Sequence, residues 1–444
     1  YHNPFHQKRH TTKASHGIKF VTSITTTIAL ILVCALAVSQ IIPTDRTDRS
    51  AKVAQGKTTR SKKPVKTTFT PASGEFRGVW ISFQDIGEKR YTKKQFENFI
   101  NKTFDNCKKN GFNAVIVHVR PFADALYPSS YFPWSRYVSG KAGKHPGFDP
   151  LSYAVSAAHK RGLAFHAWIN PYRIASNTTN VYKLPKKSIA RKWAVSKKAS
   201  KRRNVLKWDG KLYFNPASKD VQNLVCNGVR EIVRDYAVDG IHFDDYFYPT
   251  TEESIDAAQF AASGAVDLAA WRQQNVTALV KAVHDTVKAA DPTLRFGISP
   301  QGNPDNDLNG QYSDVTGWLA SGGEEQAVDY LCPQVYWGYG YTLQSGSTRF
   351  AFENIVPAWL AYPRAEGVAL YFGLGAYRVG VGDGGANADS VSGWSTGSAL
   401  ARQVEDLRRQ NAGGWALYRY GSLFGAGAPA LAAAECEALR ALNG

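Results

Sequence analysis

Residues 240–249 read GIHFDDYFYP, a short apolar strand that ends in two adjacent carboxylates, Asp244 and Asp245. Three aromatic residues and a proline surround this exit. Charged side chains at the end of a buried strand are costly unless they are paired or carry out chemistry. The same arrangement, an apolar strand with a polar or aromatic exit, recurs along the chain, and this repeat decides the fold.

From residue 75 onward, a short apolar strand and an amphipathic helix alternate eight times. The predicted strands cover residues 76–82, 113–120, 163–170, 240–246, 295–301, 328–337, 368–375 and 414–420. The first helix begins at Thr92, where Gln95 completes a capping box, and the second begins at Asp149 and Pro150. Later helices are predicted near 217–236, 266–290, 350–362, 398–411 and 428–442. Eight such units predict an α/β fold, the closed (β/α)8 TIM barrel.

An open doubly wound sheet is the alternative interpretation of this alternation. It is disfavoured because no glycine-rich phosphate loop follows the first predicted strand. In a barrel, functional side chains lie at the C-terminal ends of the strands. Six predicted strands end in polar or aromatic residues that closure would bring to one face: His118, Arg120, His166, Trp168, Asn170, Asp244, Asp245, Ser299, Gln301, Gln334, Tyr336, Trp337, Tyr418 and Tyr420.

The alternation of side chains along the fourth strand predicts where its carboxylates point. Apolar residues such as Ile241 should face the surrounding helices, so His242, Asp244 and Tyr246 should point into the barrel. Asp244 is then the inward carboxylate at the mouth, and Asp245 lies at the rim. The structural alternatives are a buried ion pair of Asp244 with Arg120 or Arg77, and a loop cap for Asp245.

Carboxylates surrounded by aromatic rings are typical of sites that cleave sugars. A glycosidase needs one carboxyl group to protonate the leaving oxygen and a second to act as base or nucleophile. Apolar surroundings raise the pKa of the acid toward the working range. The second carboxylate stays open at this point, with Asp124, Glu252, Glu253 and Asp305 as candidates.

The positive charge of the chain is confined to two segments. The formal charge is +18, but residues 1–66 hold 12 Lys/Arg against 2 Asp, and residues 183–211 hold 12 Lys/Arg against 1 Asp. The rest of the chain is slightly acidic, which argues against nucleic acid as a partner. The segment 171–211 follows the third strand, so a basic insertion would lie beside the site. It favours an anionic polymer as substrate, with a solvated surface loop as the alternative.

The N-terminal residues resemble a targeting element. A basic tail at 1–19 precedes an uncharged run at 20–42, which is 23 residues long and sufficient to cross a bilayer. A signal anchor and a cleaved signal peptide both fit this pattern. Residues 43–72 read as a flexible basic linker, and 73–444 as the barrel. We therefore expect an extracytoplasmic protein, held at the membrane or secreted.

The cysteines do not indicate a metal site or a disulfide framework. There are five, none in a CxxC pair and none at zinc-ligand spacing from a His. Free buried thiols are the expected state, and no metal or organic cofactor is expected.

Seven ordered motifs carry a family resemblance. They are FRGVWIS (76–82), GFNAVIVHVRPFADALYPS (111–129), FDPLSYAVSAAHKRGLAFHAWINPYR (148–173), FNPA (214–217), VDGIHFDDYFYP (238–249), FGISPQG (296–302) and VDYLCPQVYW (328–337). Together they resemble the glycosyl-hydrolase-like ten family over about residues 74–420. The resemblance implies an exported or envelope-attached TIM-barrel glycosidase. Some members of that family cut peptidoglycan glycan strands stripped of their peptides.

The fourth strand also resembles the chitinase-type motif. Asp239 and Gly240 match its start and Asp244 its last aspartate, but Tyr246 occupies the acid position and His242 the first inner aspartate. The chitinase mechanism therefore does not carry over whole. The strand-end residues that the family resemblance implies for the site are Arg77, Arg120, Asn170, Tyr172, Asp244, Asp245, Gln334 and Tyr336.

These observations give one leading hypothesis, a glycoside hydrolase acting on bacterial cell-wall glycan. Asp244 is its key carboxylate, and Asp245 is the partner or orienter of Asp244. Arg120 and the basic insertion would bind the lactyl carboxylates of the glycan. The residues expected to contact sugar are Arg77, Trp168, Asn170, Tyr172, His242, Gln334, Tyr336 and Trp337, although His242 is equally a candidate for a hydrogen-bonded core residue. The rivals are a glycosidase for another polysaccharide and a non-catalytic glycan-binding module.

Overall fold

The computed structural model of the chain describes residues 74–387 and 389–443. The targeting segment predicted at 20–42 and its basic flanks lie outside these residues, so those assignments stay predictions. Among the helices of the described residues, none has both the length and the apolar character needed to cross a membrane.

Eight parallel strands form the centre of the fold. In chain order they are β1 (Phe76–Ile81), β2 (Ala114–Arg120), β3 (Ala164–Ile169), β4 (Gly240–Phe243), β5 (Arg295–Ile298), β6 in two parts (Tyr330–Leu331 and Gln334–Val335), β7 in two parts (Ala369–Leu370 and Phe372–Leu374) and β8 (Gly414–Leu417). Each strand pairs in parallel with the next along the chain. β8 then pairs with β1, with Gly414 opposite Phe76. The predicted α/β barrel is confirmed.

A helix follows every strand. The eight are α1 (Lys93–Lys109), α2 (Pro150–His159), α3 (Lys219–Asp235), α4 (Leu268–Ala290), α5 (Val315–Ala320), α6 (Phe352–Leu360), α7 (Ala399–Arg409) and α8 (Ala432–Asn443). The capping box of Thr92 and Gln95 is present, and the Asp149 carboxylate accepts the backbone N–H of Ser152 at 3.1 Å. Further helices and 3-10 turns lie in the loops at Phe83–Ile86, Arg136–Ser139, Val181–Lys183, Ile189–Ala194, Ala199–Arg202, Glu253–Ile255, Ala257–Ser263, Pro304–Gln311, Gly323–Glu325, Ala376–Arg378, Asp389–Ser392 and Tyr420–Phe424.

All eight strands are shorter than the sequence predicts, and in two of them, β4 and β6, the change affects the mouth. β4 ends at Phe243, so Asp244 and Asp245 lie just beyond the hydrogen-bonded ladder. β6 is interrupted before Gln334 because Pro333 has no N–H to donate to a neighbouring strand. In both cases the backbone leaves regular pairing at the C-terminal end of the barrel, where side chains are redirected toward the mouth.

The two faces of the sheet bury different side chains. The outward face packs apolar residues such as Ile241 and Phe243 against the helices, as the alternation predicts. The barrel interior is largely aromatic, and it holds Trp80, Ile116, Trp168, Tyr330, Cys332, Tyr371 and Ala416. Because these rings fill the space between the strands, the barrel has a solid floor beneath its C-terminal mouth.

A chain of hydrogen bonds crosses this interior. The Trp80 indole donates to His242 Nε2 at 3.1 Å, and His242 Nδ1 lies 2.9 Å from the Tyr330 hydroxyl. The same hydroxyl lies 2.9 Å from His166 Nδ1, and Ser299 Oγ lies 3.0 Å from His242 Nε2. Burial lowers the pKa of His242 well below its usual value and that of His166 to about 3. Both rings are therefore neutral, and each supplies one donor and one acceptor.

The basic insertion after β3 is folded. Three antiparallel strands, Arg173–Ala175, Lys211–Phe214 and Val205–Trp208, form a small sheet in that order. The helices Ile189–Ala194 and Ala199–Arg202 complete the insertion. It ends at Phe214, three residues beyond the predicted boundary, because the last strand pairs back to the first and returns the chain to the barrel.

Candidate active site

The paired carboxylates lie at the C-terminal mouth, as predicted, but they differ in burial. Asp244 is 3% exposed, and within the described residues neither of its carboxyl oxygens has a hydrogen-bond partner. Asp245 is partly exposed. The indole N–H of Trp168 and the backbone N–H of Tyr246 are neighbours of Asp244, without hydrogen-bond geometry. A buried carboxyl group with unused bonding capacity is rare in folded proteins and is typical of functional sites.

The electrostatics of the pair favour one shared proton. Burial, and then the negative charge of Asp245, raise the pKa of Asp244 well above its usual value. Burial also raises the pKa of Asp245, but the amide of Gln334 and the charge of Arg173 act in the opposite direction. Asp244 therefore holds a proton under conditions where Asp245 is ionised. Titration of such a pair belongs to both groups together.

Arg173 is the cationic group of this site, and it is not among the residues predicted from the sequence. Its guanidinium lies 4.4 Å from the centre of the Tyr246 ring and 5.0 Å from that of Phe122. Its charge lowers the pKa of both Asp244 and Asp245. The sequence feature that could have identified Arg173 is its position at the end of the motif HAWINPYR, three residues beyond Asn170.

Aromatic side chains form the wall of the mouth opposite Arg173. The ring of Tyr336 lies 5.6 Å from those of Tyr377 and Tyr418, and Tyr418 lies 6.1 Å from Trp80. Tyr336 is partly exposed at the mouth, and its contact with sugar stays a prediction. The charges of Asp244 and Asp245 help to raise the pKa of Tyr418 after burial, which places this tyrosine beside the carboxylates.

Two further predicted residues, Trp168 and Gln334, adjoin the carboxylates, and Asn170 lies just beyond the end of β3. Trp168 is buried and stacks on His118 at 3.5 Å, so it forms the floor of the site and not an open platform. Asn170 is 1% exposed and donates to the carbonyl of Pro121 at 3.0 Å. Gln334 is partly exposed, and its Nε2 donates to the Ser299 carbonyl at 2.9 Å. Trp168 therefore lies beside Asp244, and Gln334 beside Asp245.

Arg120 does not reach the mouth, and a β-bulge is the cause. Strand pairing shifts between His118 and Arg120, so Arg120 lies opposite Ile169, which faces outward. The guanidinium stacks on Phe132 at 4.2 Å and approaches Gly228 of α3, where a Cβ atom would lie 2.3 Å from Nη1. Within the described residues Arg120 therefore forms no ion pair with Asp244, and its buried side chain does not line the mouth, where the sequence predicts it to bind a substrate carboxylate.

Arg77 and Tyr172 also lie away from the mouth. Arg77 is the second residue of β1, at the N-terminal end of the barrel, where Nε donates to the Gly111 carbonyl at 2.8 Å. Tyr172 is fully buried and packs against Phe247 in the layer between the barrel and the helices. Neither side chain is placed to contact a substrate.

His242 matches the predicted alternative of a hydrogen-bonded core residue, whereas Trp337 and Tyr246 lie differently from the prediction. His242 is fully buried within the hydrogen-bond chain, below the carboxylates. Trp337 is partly exposed, but its ring stacks on Phe350 at 4.8 Å and covers Gly302. Tyr246 is 45% exposed and lies over Arg173, so it does not point into the barrel. The strand ends before Tyr246, and the alternation no longer applies there.

None of the four candidates for a second carboxylate joins the pair. Burial raises the pKa of Asp124 to about 6, but its neighbours are Ser135, Phe122 and Arg136 in the loop after β2. Asp305 is exposed and pairs with Arg349 at 2.7 Å. Glu252 and Glu253 are exposed on the loop after β4.

A third carboxyl group near the pair is Asp307, which is not among the residues predicted from the sequence. It is fully buried, and one carboxyl oxygen accepts the Gln301 N–H at 3.1 Å. Burial, with a further contribution from Asp245, raises its pKa well above the usual value. The sequence feature that could have identified Asp307 is the helix start at Asn303 and Pro304. It places residue 307 one turn into the helix, on the side that faces the barrel.

The site offers proton-transfer chemistry. Among the described residues, no group of three or more His, Cys, Asp or Glu side chains is placed to hold a metal ion. The functional groups at the mouth are the carboxyl pair, the cation of Arg173 and a wall of tyrosine rings. Such a combination suits the cleavage of an acetal bond, in which a proton is delivered and positive charge develops on the sugar.

Comparison with known proteins gives consistent matches. The family model described as "Glycosyl hydrolase-like 10" matches residues 75–388. The glycosyl hydrolase YngK of Bacillus subtilis (strain 168) is 35% identical over 365 residues, which cover 76% of this chain and 66% of that protein. The chain thus spans about two thirds of the length of YngK. The glycosyl hydrolase DigH of Escherichia coli (strain K12) is 29% identical over 347 residues, covering 72% and 76%.

Solved structures share the barrel at low sequence identity. The glycoside hydrolase domain of PgaB (BpsB) from Bordetella bronchiseptica has a TM-score of 0.54 and 14% identity, with 82% of this chain and 98% of that chain covered. The catalytic domain of a β-amylase from Paenibacillus polymyxa has a TM-score of 0.53 and 12% identity, covering 84% and 100%. At these identities the likeness concerns the fold alone.

Proposed function

This chain belongs to the glycosyl hydrolase-like 10 family of glycoside hydrolases, and from that membership we propose that it cleaves the glycan strands of the bacterial cell wall. The observation that carries the catalytic part is the buried, unpaired carboxyl group of Asp244 beside Asp245. The basic insertion and Arg173 support an anionic glycan, because the lactyl groups of wall strands are carboxylates. A substrate outside the cytoplasm fits the targeting pattern at 20–42, so we also propose an extracytoplasmic location.

In the proposed mechanism the two carboxyl groups act as a unit that carries one proton. Asp244 retains the proton in the resting state while Asp245, which is partly exposed, is ionised toward the cleft. Transfer of the proton to the glycosidic oxygen breaks the bond to the leaving sugar and leaves both groups ionised. Arg173 stabilises that doubly negative state, and the ionised carboxylates stabilise the positive charge on the sugar ring. Water then adds to the anomeric carbon and gives one of its protons to the carboxyl pair, which restores the single shared proton.

The tyrosine wall would hold the sugar ring at the cleavage point. Tyr336, Tyr377 and Tyr418 form one contiguous aromatic cluster beside the pair. Rings of this kind bind the C–H faces of sugars while their hydroxyl groups remain available for hydrogen bonds. The wall is neutral, so it suits both the N-acetylated and the lactyl-bearing sugars of a wall strand.

The test is digestion of peptide-free peptidoglycan glycan strands, with neutral chitin oligosaccharides in parallel and mass spectrometry as the readout. New saccharides from the wall strands, in preference to the neutral ones, are the expected result, and their ends identify the bond that is cut. Cleavage of neutral glycans alone would move the assignment to another polysaccharide. Binding of intact strands without new ends would favour a non-catalytic glycan-binding module.

We expect Arg173→Gln to displace the acidic limb of the pH–rate profile. Because the charge of Arg173 lowers the pKa of Asp244 and Asp245, its removal raises both, and the ionised form required at Asp245 is reached only at higher pH. The limb should therefore move to higher pH, with kcat/KM on its acidic side falling by about tenfold. Arg173→Lys keeps the charge and should restore most of the profile. An unchanged limb in Arg173→Gln would exclude this role.

A further inference from the structure

A groove lies outside the catalytic mouth, between the basic insertion and the loop after β4. Its volume is about 670 Å³. One wall carries Arg202, Arg203, Lys207 and Trp208 of the insertion, and the other is the segment 254–259. We refer to it as the insertion groove. The mechanism proposed above does not use it.

The cations of this groove are not neutralised by the protein. Arg202, Arg203 and Lys207 are exposed, and within the described residues none of them has a carboxylate within ion-pair distance. The Arg202 guanidinium instead donates to the carbonyls of Ser196 and Lys197, each at 2.8 Å. The groove therefore presents a concentrated positive charge to solvent, which attracts an anionic ligand.

The acidic residue of the opposite wall does not cancel this charge. Asp256 lines the groove, but its carboxylate forms an ion pair with Arg272 at 2.6 Å, and both side chains are completely buried. Arg272 also donates to the carbonyls of Thr251 and Glu252, at 3.2 Å and 2.8 Å. This wall is therefore both neutral and fixed in place.

The wall formed by the insertion is also fixed in place, by hydrogen bonds. Asn204, between the two groove arginines and the wall strand, donates to Asp220 at 3.1 Å and accepts the Ser218 hydroxyl at 2.7 Å. Across the groove, the Gln259 amide donates to the Arg203 carbonyl at 3.2 Å, which joins the two walls. A groove formed before its ligand arrives loses little conformational entropy on binding.

The groove is connected to the mouth through the small sheet of the insertion. Arg173 belongs to the first strand of that sheet, and Lys207 to the strand at its other edge, with Lys211–Phe214 between them. Two strand spacings correspond to roughly 10 Å. The opposite wall similarly continues the loop that begins at Asp244 and Asp245. In this register Arg173 shares a sheet face with Leu206, whereas Lys207 points from the other face, so a polymer would pass over the edge strand Val205–Trp208 to contact both.

We propose that the insertion groove is a second binding site for the polysaccharide, which holds a carboxylate-bearing stretch of the strand away from the cleavage point. Its arginine and lysine side chains would bind sugar carboxylates, and Trp208 would supply an apolar surface for a ring. The identity of the polymer rests on the proposed function. The groove would raise affinity for long anionic strands, because two linked contacts bind more tightly than one.

The test measures binding in the Asp244→Asn background, where cleavage does not interfere. End-labelled peptide-free glycan strands are titrated by fluorescence anisotropy, alongside the same strands with their carboxyl groups reduced. Arg203→Glu combined with Lys207→Glu should weaken binding of the native strands by about tenfold or more. Carboxyl-reduced strands should bind weakly to both proteins. Arg203→Gln with Lys207→Gln, a milder change, should give an intermediate loss.

The matched control is Lys187→Glu with Lys192→Glu. Both lysines are exposed on the same insertion and change the net charge equally, but they do not line the groove. The control should retain nearly full affinity. If both double variants lose the same affinity for the native strands, the effect is one of net charge and the proposal is overturned. Absence of any binding to the native strands would also overturn it.

Hydrolysis of the same strands by the wild-type enzyme is scored separately. If the wild-type enzyme cleaves the strands but the groove variants bind them as tightly as their parent, the proposal of a second binding site is overturned. The proposed function then stands. Groove-dependent binding without cleavage would support the groove and overturn the proposed hydrolysis.

Discussion

Asp244→Asn is expected to lower kcat by about 10³-fold on any glycan that the wild-type enzyme cleaves. The asparagine fills the same space beside Trp168, but it cannot supply the proton that breaks the glycosidic bond. Asp244 is the member of the pair whose pKa burial and Asp245 raise most clearly, so the substitution removes the protonated group. Initial rates of reducing-end formation at saturating substrate measure the change.

The control for this substitution is Asp305→Asn, because Asp305 is an exposed aspartate that pairs with Arg349 at 2.7 Å outside the mouth. It should leave kcat unchanged, since exposed ion pairs contribute little. Near-full activity of Asp244→Asn would contradict the assignment of the pair as the proton donor.

Loss of activity in Asp244→Asn should not come from loss of folding. The pKa of the folded Asp244 carboxyl lies above its ordinary value of 3.8, so ionisation of this group opposes folding. Its contribution to stability is most favourable below pH 3.8 and is lost as the pH rises through the raised pKa. Asparagine does not ionise and avoids that loss. The Tm of the variant near neutral pH should therefore equal or exceed that of the wild type.

Gly297→Ala is expected to lower the free energy of unfolding by about 3 kcal/mol, or to prevent folding. A Cβ atom at Gly297 in β5 would lie 2.1–2.2 Å from three ring atoms of Tyr330. The ring has no room to retreat, because it packs among other aromatic side chains in the barrel. Its hydroxyl also bonds His166 and His242, each at 2.9 Å. Chemical denaturation at equilibrium measures the loss.

Two variants separate this clash from a general effect of replacing glycine. Gly310 lies in the helix Pro304–Gln311 with open space around its Cβ position, so Gly310→Ala should be neutral or slightly stabilising. In a Tyr330→Ala background, the cost of Gly297→Ala should largely disappear, because the two substitutions affect the same space. If the losses in free energy of unfolding from the two substitutions simply add in the double variant, the Tyr330 ring is not the obstacle.

The sequence predicts the barrel well because the fold depends on a simple repeat. Eight alternations of apolar strand and amphipathic helix are sufficient, and single capping residues such as Thr92 and Asp149 mark helix starts accurately. The same alternation places Asp244 at the mouth. These features are local, and local periodicity is what one sequence records.

The site residues were harder to predict because small backbone irregularities redirect side chains. One bulge after His118 turns Arg120 outward, and the early end of β4 leaves Tyr246 on the surface. Arg173 and Asp307 reach the site through an inserted sheet and a short loop helix, elements that sequence periodicity does not position. The resemblance to a family identified the segments correctly, but not which of their side chains face the substrate.

An interior joined by a hydrogen-bonded chain cannot be redesigned one position at a time. Trp80, His242, Tyr330 and His166 each donate to or accept from the next, so an aliphatic replacement of one leaves a buried polar atom without a partner. Exchange of all four for apolar side chains of matched volume removes that penalty. A redesign of this barrel should therefore keep these four residues together or replace all four together.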